Sequence, residues 1–356
     1  MNRDPIVITG LGLVLPCGDG IPAARESWSI QSPAFTDLPP ALGEGRGAAC
    51  LDFNPAGIIP PMQLRRLDRP SRFAWVAAHQ AFQDAGIDPK AEGEHIGIAV
   101  GTLTGGSEAS EAFMRPYLQR GPEGASPMVF PNCVANAAAG HVALAFGLKG
   151  PSTTQLEREA GTLAALDQAC RWLHSGMAKA VLVIGTDGLF PLQIELLKRT
   201  GLSRRHGEPL VGRGGFLPGE GAQAFLLERR SDALARGARI RATIGALASA
   251  SPTRVETHAL TEALGFAVSS TTPEATARWI GGSSGSSALD HLEARIHASH
   301  WYLPRPAFPK LLWGEFCGAG GQLLAAALLE PAESVLVTAP ASQGAQWACR
   351  LDDVGE

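Results

Sequence analysis

Gly150-Pro151-Ser152-Thr153-Thr154-Gln155-Leu156-Glu157-Arg158-Glu159-Ala160-Gly161-Thr162 runs directly into an Ala/Leu-rich segment that ends at Ser175-Gly176. Apolar residues recur at helical spacing from Thr162 to Ser175 and Gly176 supplies a C-cap, so the segment predicts a helix with Glu159 just ahead of its first turn. The positive end of a helix dipole favours an anion at that place. On either side lie Ile6-Val7-Ile8-Thr9-Gly10, Ile96-Gly97-Ile98-Ala99-Val100-Gly101 and Ala180-Val181-Leu182-Val183-Ile184-Gly185. These are short, β-branched runs without strict alternation, the pattern of strands buried on both faces. Phe73 to Ala85 predicts a helix that stops at Gly86. Strands and helices alternating in this way predict an α/β sandwich.

The remainder of the chain is less regular. Phe225-Leu226-Leu227-Glu228 reads as a strand and Ser231 to Arg236 as a helix; beyond Gly237 come a strand at Arg239 to Ala246, a helix at Thr257 to Phe266 and a long apolar helix at Gln322 to Leu329. Two halves, 1–236 and 237–356, are expected to form one intimate unit, because the Gly/Ser loop at Gly281 to Ser287 and the Pro-rich turn at Trp301 to Pro309 do not read as linkers. With 45% hydrophobic residues in 356 the chain can bury a large core. A net charge of -4 with scattered Lys and Arg excludes a nucleic-acid field, and no run approaches the ~18 apolar residues of a membrane span. Cys17, Cys50, Cys133, Cys170, Cys317 and Cys349 show no metal-ligand spacing and read as reduced, buried thiols. Asp4 and Pro5 precede any apolar run, so the expected location is cytoplasmic.

Ile8-Thr9-Gly10-Leu11-Gly12-Leu13-Val14-Leu15-Pro16 resembles the opening V-T-G-x-G-x-x-x-P of ketosynthases of the thiolase superfamily. Val100-Gly101-Thr102 with Gly105-Gly106, Pro131 to Gly140, Phe146 to Pro151, and Gly215-Phe216-Leu217-Pro218-Gly219-Glu220-Gly221-Ala222 follow in the family's order. The resemblance covers most of the first 245 residues; later it rests on Lys310 and Gly318-Ala319-Gly320-Gly321. It implies an α/β thiolase-like fold, layered αβαβα, with two pseudo-symmetric halves.

The family's condensing reaction uses a thiolate that carries the acyl chain and two histidines that hydrogen-bond the enolate of malonyl thioester. Matched by motif, the cysteine position holds Glu159, the first histidine position holds Gly282 and the second holds Glu315, while Lys310 and Gly314 are retained. The family's gating loop G-F-G-G-T-N aligns with Ala341 to Gln346, and Pro340 replaces its leading phenylalanine. A relative with this body and no nucleophile is the chain-length factor of type II polyketide systems, a non-catalytic subunit. The resemblance therefore implies two partners, an active ketosynthase in a heterodimer and an acyl carrier protein bearing the chain, and no cofactor. It also implies that Ser107, Ser110 and Met114 on one helical face, with Val129, line the far end of the partner's acyl tunnel. Glu157-Arg158 would lie near the dimer axis, as an ion pair favouring a heterodimer or as a plain surface pair. Two other readings stand beside this one: Glu159, Glu315 and Lys310 as a new acid/base set for decarboxylation or priming, and a scaffold that docks carrier protein.

Three motifs point elsewhere and fail on chemistry. Gly281-Gly282-Ser283-Ser284-Gly285 with Asp290 and His291 matches the hydrolase elbow G-x-S-x-G, but Ala277 to Ile280 reads as a poor buried strand and adjacent Asp290 and His291 cannot easily serve one serine. Gly10-Leu11-Gly12 lacks the third glycine of a dinucleotide fingerprint, having Leu15 and then Pro16 instead. His141, His174, His258, His297 and His300 have no ligand spacing, and His141 reads as a packed or capped helix residue.

Overall fold

In the computed structural model, β1 (Ile6–Leu15) is buried at every position, and the reason lies in Gly10 and Gly12. A Cβ on Gly10 would come within 2.3 Å of the Ala81 carbonyl oxygen and one on Gly12 within 1.9 Å of that of Ala77, so the helix Arg69–Ala85 lies against the strand where side chains are missing. Gln80 and Asp84 of that helix accept the strand amides of Leu13 and Leu11, each at 2.8 Å. These glycines serve helix–strand packing, which agrees with the absence of a dinucleotide fingerprint. The structure describes residues 4–204, 207–252, 254, 256–272 and 276–355.

From β1 the chain turns into the two-residue β2 (Gly18–Asp19), and β3 (Thr36–Asp37) with β4 (Arg46–Gly47) forms a small separate ribbon. β5 (Ile96–Gly101), β6 (Ser152–Gln155), β7 (Ala180–Asp187) and β8 (Gly221–Arg229) complete one wing of the main sheet in the order β6-β5-β7-β8-β1. β9 (Ala242–Ala250), β10 (Arg278–Ile280), β11 (Ala332–Ala339) and β12 (Gln346–Val354) make the other, in the order β10-β11-β12-β9. Among the described residues the wings join where Val7 and Ile8 pair with Thr243 and Ala242.

Three helical layers sandwich the wings. Between them lie the helices Gly161–Ser175 and Gly321–Ala327, whose Leu163, Leu166, Leu173, Leu323 and Leu324 pack against Ile8, Val183 and Phe225 on one side and Val337 and Cys349 on the other. Arg69–Ala85 and Ala137–Phe146 cover the outside of the first wing, and Thr257–Thr271 and Ser287–Ser299 the outside of the second. This is the layered αβαβα arrangement that the ketosynthase resemblance implied.

Local departures have identifiable causes. The long helix expected at Gln322 to Leu329 is the seven-residue Gly321–Ala327, followed closely by Glu330-Pro331. The strand expected from Arg239 begins at Ala242, just after Arg241, whose amide donates to Ile8 O at 2.8 Å and whose side chain pairs with Asp84. Ala277 to Ile280, read as a poor buried strand, includes β10, in which Trp279 and Ile280 are fully buried against β11. Among the described residues no helix is long and apolar enough to cross a membrane.

Candidate functional site

Glu159 sits in a tight turn, Arg158–Ala160, that feeds the helix Gly161–Ser175 at the buried middle layer. The turn is wedged between two backbones: a Cβ on Gly101 would meet the Gly161 carbonyl carbon at 2.3 Å, and one on Gly320 would meet the Glu159 carbonyl oxygen at 2.4 Å. Thr162 clamps the far side, donating its amide to Ala319 O at 3.1 Å and its hydroxyl to Gly318 O at 2.8 Å. The Glu159 side chain is buried, and its Oε2 accepts the amide of Ser342 at 3.1 Å.

Ser342 belongs to the loop Ala341 to Gln346, which the turn holds twice. Arg158, with a left-handed φ of 50°, donates Nη2 to Gln343 Oε1 at 3.0 Å. Gln346 pins the loop from inside, its Oε1 accepting Ala341 N at 3.0 Å and its Nε2 donating to Ala341 O at 2.9 Å. Among the described residues Arg158 pairs with Gln343, and no ion pair joins it to Glu157.

Lys310 and Glu315 form a second buried element. Nζ lies 2.6 Å from Glu315 Oε1, with both side chains almost wholly removed from solvent. Glu315 is fixed by its backbone, donating N–H to Leu217 O at 2.8 Å and accepting Gly219 N–H at 2.6 Å, so the stretch Phe216 to Gly221 positions it. Glu315 Oε2, Gln322 Oε1 and Ser284 Oγ have no hydrogen-bond partner among the described residues. Lys310 meets Glu315, while Glu159 is bound by the loop amide, so Lys310 does not bridge the two glutamates.

Gly282 lies under Pro340. A Cβ there would be 2.6 Å from Pro340 Cδ and 3.2 Å from Thr338 O, and its amide donates to Glu293 Oε1 at 2.7 Å. Glu293 also accepts Ser283 N at 2.9 Å, Ser283 Oγ at 2.6 Å and the Thr338 hydroxyl. Asp290 accepts Ser284 N at 2.9 Å, Gly285 N at 3.0 Å and Gly212 N at 2.6 Å. Burial pushes both carboxyls above the usual carboxylate range against the pull of these bonds. The loop Gly281 to Gly285 thus hangs from two acids of the helix Ser287–Ser299. A buried strand precedes it after all, yet Ser283 is bound to Glu293 and His291 is exposed, so no serine triad exists here.

Thiols lie elsewhere in the core. Cys50 and Cys317 both donate to Glu220 O, at 3.5 and 3.1 Å, and burial pushes both well above the ordinary thiol range. His141 Nε2 is 2.7 Å from Asn132 Oδ1, the packed helix histidine expected. Among the described residues no imidazole hydrogen-bonds to Glu159, Lys310 or Glu315, and no cluster of His, Cys, Asp and Glu could hold a metal ion.

The helix Ser107–Arg120, whose Glu108 accepts Arg69 N at 3.2 Å and whose Glu111 accepts Leu192 N at 3.1 Å, carries the expected tunnel residues. Ser107 is exposed, Ser110 is half-buried with its hydroxyl 3.4 Å from Cys133 O, Met114 is 42% exposed, and Val129 is half-buried. Phe113 and Tyr117 share that face and Phe130 packs on Phe113. The reading of the face from the sequence missed these rings; the aromatic pair at i, i+4 was the signal.

The model of the family described as β-ketoacyl synthase, N-terminal domain, matches residues 3–233. The chain belongs to the β-ketoacyl synthase family. It is 30% identical to 3-oxoacyl-[acyl-carrier-protein] synthase 2 of Synechocystis sp. over 257 residues, covering 67% of this chain and 61% of that enzyme. With the same enzyme of Coxiella burnetii it shares 28% over 352 residues, 91% of this chain and 84% of that one. Among solved structures, the ishigamide ketosynthase/chain length factor superposes with a TM-score of 0.86 at 22% identity, covering 99% of this chain and all of that one. A β-ketoacyl synthase from Burkholderia phymatum gives 0.84 at 19%, and a type II polyketide acyl-carrier protein in complex with its ketosynthase gives 0.80 at 20%, each covering 99% of this chain and 100% of the other. At these identities the structural likeness establishes the fold of this β-ketoacyl synthase family member. Within that frame Phe216 to Gly221 anchors Glu315, and the glycines at 101, 161 and 320 give the Glu159 turn its room.

Proposed function

We propose that this chain is a non-condensing member of the β-ketoacyl synthase family, a chain-length factor that pairs with an active ketosynthase and shapes its acyl tunnel. The observation that carries the reading is the chemistry at the helix start: a carboxylate, Glu159, bound to the Ser342 amide. Acyl transfer needs a thiolate whose thioester survives until the next malonyl unit arrives, whereas an acyl carboxylate would be a mixed anhydride open to hydrolysis. The enolate formed by decarboxylation needs donors aimed at its oxygen; here Gly282 has no side chain and Pro340 covers it, while Glu315 presents a carboxylate.

The outer surface supports a partner. β6 pairs only with β5 among the described residues; Leu156, which directly follows it, is 57% exposed, and Leu144, on the helix Ala137–Phe146 that packs against β6, is 85% exposed. An active ketosynthase covering this edge, and an acyl carrier protein delivering the chain, are the partners proposed, in a type II polyketide or related fatty-acid-like synthesis. A decarboxylating or priming role using Glu159, Glu315 and Lys310 together is less well supported, because Glu159 is engaged by the loop rather than by Lys310.

The test is reconstitution. Purified alone with acyl- and malonyl-carrier protein, the chain is expected to yield no condensation product; with a ketosynthase that retains its cysteine and both histidines, it should form a heterodimer that does. Condensation by the lone polypeptide would overturn the proposal.

A further inference from the structure

The face of the helix Ser107–Arg120 that carries Ser110 and Met114 is dominated by rings. Phe113 and Tyr117 lie a turn apart with centroids 6.5 Å apart and planes within 9°, and Phe130, from the turn Phe130–Asn132, closes on Phe113 at 5.5 Å and 53°. Tyr117 is 40% and Phe130 62% exposed, and the thioethers of Met114 (42%) and Met128 (60%) stand exposed nearby in the sequence. The serine hydroxyl of this face, Ser110 Oγ, is turned inward to Cys133 O. Glu111 and Arg115 pair with each other further round the helix, while Arg120, at i+3 from Tyr117 and i+7 from Phe113, falls on the ring side in the last turn.

We propose that Phe113, Tyr117 and Phe130 form a stacking wall that selects planar, conjugated acyl chains over saturated ones of the same length. The proposal rests on the chain-length-factor reading, which places this face at the end of an acyl tunnel. A conjugated chain is flat and offers its π surface to a ring in an offset stack, gaining an interaction beyond the burial of apolar area. A saturated chain of equal length gains the burial alone, and its zigzag of hydrogens holds it off the ring faces. The methionines, unbranched and polarisable, can close around either.

The experiment uses the reconstituted heterodimer with carrier protein. It is offered a conjugated trienoyl thioester and the saturated acyl thioester of equal length, and extension by malonyl thioester is compared for the wild type, Phe113→Leu and Phe130→Leu. The wild type is expected to favour the conjugated chain by roughly two- to tenfold, the range that aromatic pairing provides. Each leucine variant should move that ratio toward one while heterodimer assembly, followed by size-exclusion chromatography, stays intact. Equal rates in the wild type, or a ratio unmoved in both variants, overturns the proposal. Lost assembly with an unchanged ratio in the heterodimer that remains also overturns it, because the rings would then belong to the protein interface. If the wild-type complex extends neither chain, the chain-length-factor reading itself fails and takes the stacking wall with it.

Discussion

Glu159 and Ser342, 183 positions apart in the chain, are joined by a hydrogen bond in which the carboxylate accepts the loop amide at 3.1 Å. With the neighbouring bond from Arg158 to Gln343, this makes the turn before the central helix a clasp on the loop Ala341 to Gln346. Glu159 therefore holds a loop in place, a role that needs an acceptor and not a nucleophile.

Removing the acceptor should loosen the loop. Glu159→Ala leaves the Ser342 amide without its partner, and the expected loss is about 1–3 kcal/mol, toward the lower end because the amide is only partly buried. Hydrogen exchange at residues 341–346 should rise, and unchanged protection there would count against the clasp.

Supplying a thiol at position 159 should not confer condensation. Glu159→Cys supplies a nucleophile, but Gly282 and Glu315 still offer no donor for an enolate. Acylation of the new cysteine without carbon–carbon bond formation is the expected result in a radiolabelled malonyl assay. Adding Gly282→His drives a side chain into Pro340 Cδ, 2.6 Å from where its Cβ must sit, and should lower the melting temperature.

The buried pair is asymmetric in what its loss costs. Lys310→Met strands the Glu315 charge where water cannot reach it and should destabilise the fold by about 3–5 kcal/mol. Lys310→Met combined with Glu315→Leu removes both charges and should recover most of that loss in urea unfolding. A double variant as unstable as the single one would show that packing, not the unpaired charge, is responsible.

Stability should fall as pH rises from about 5 to 8. Burial lifts Asp187 to about 6 and Glu108 to about 7, above their unfolded values, so over this window the folded chain binds more protons than the unfolded one. That stabilisation is complete below the unfolded carboxyl range and is lost as pH passes through the raised values. His141 works in the opposite sense, since burial lowers its pKa. Comparing the wild type with Glu108→Gln isolates the glutamate: the variant's urea midpoint should depend less steeply on pH, and identical slopes would refute the assignment.

The strands and main helices were legible because their apolar runs and stop glycines report burial directly. Gly86 and Gly176 cap their helices in the left-handed conformation, as their positions after periodic apolar runs foretold. β10 was underrated because three residues carry too little periodicity, and its burial comes from β11, more than fifty positions later. The ring group at Phe113 and Tyr117 was visible as an i, i+4 pair, but the third ring, Phe130, comes from a separate turn.

The sequence alone determined an α/β frame and the identities of Glu159, Gly282, Lys310 and Glu315, because buried strands, helix caps and side-chain chemistry are properties of residues and their near neighbours. Only the tertiary structure decided which of these groups meet. Lys310 reaches Glu315, Glu159 reaches Ser342 and Pro340 comes down on Gly282 because distant segments converge at the middle layer. Hydrogen bonds and ion pairs act over only a few ångströms, so the fold, and not spacing along the chain, selects a buried polar group's partner.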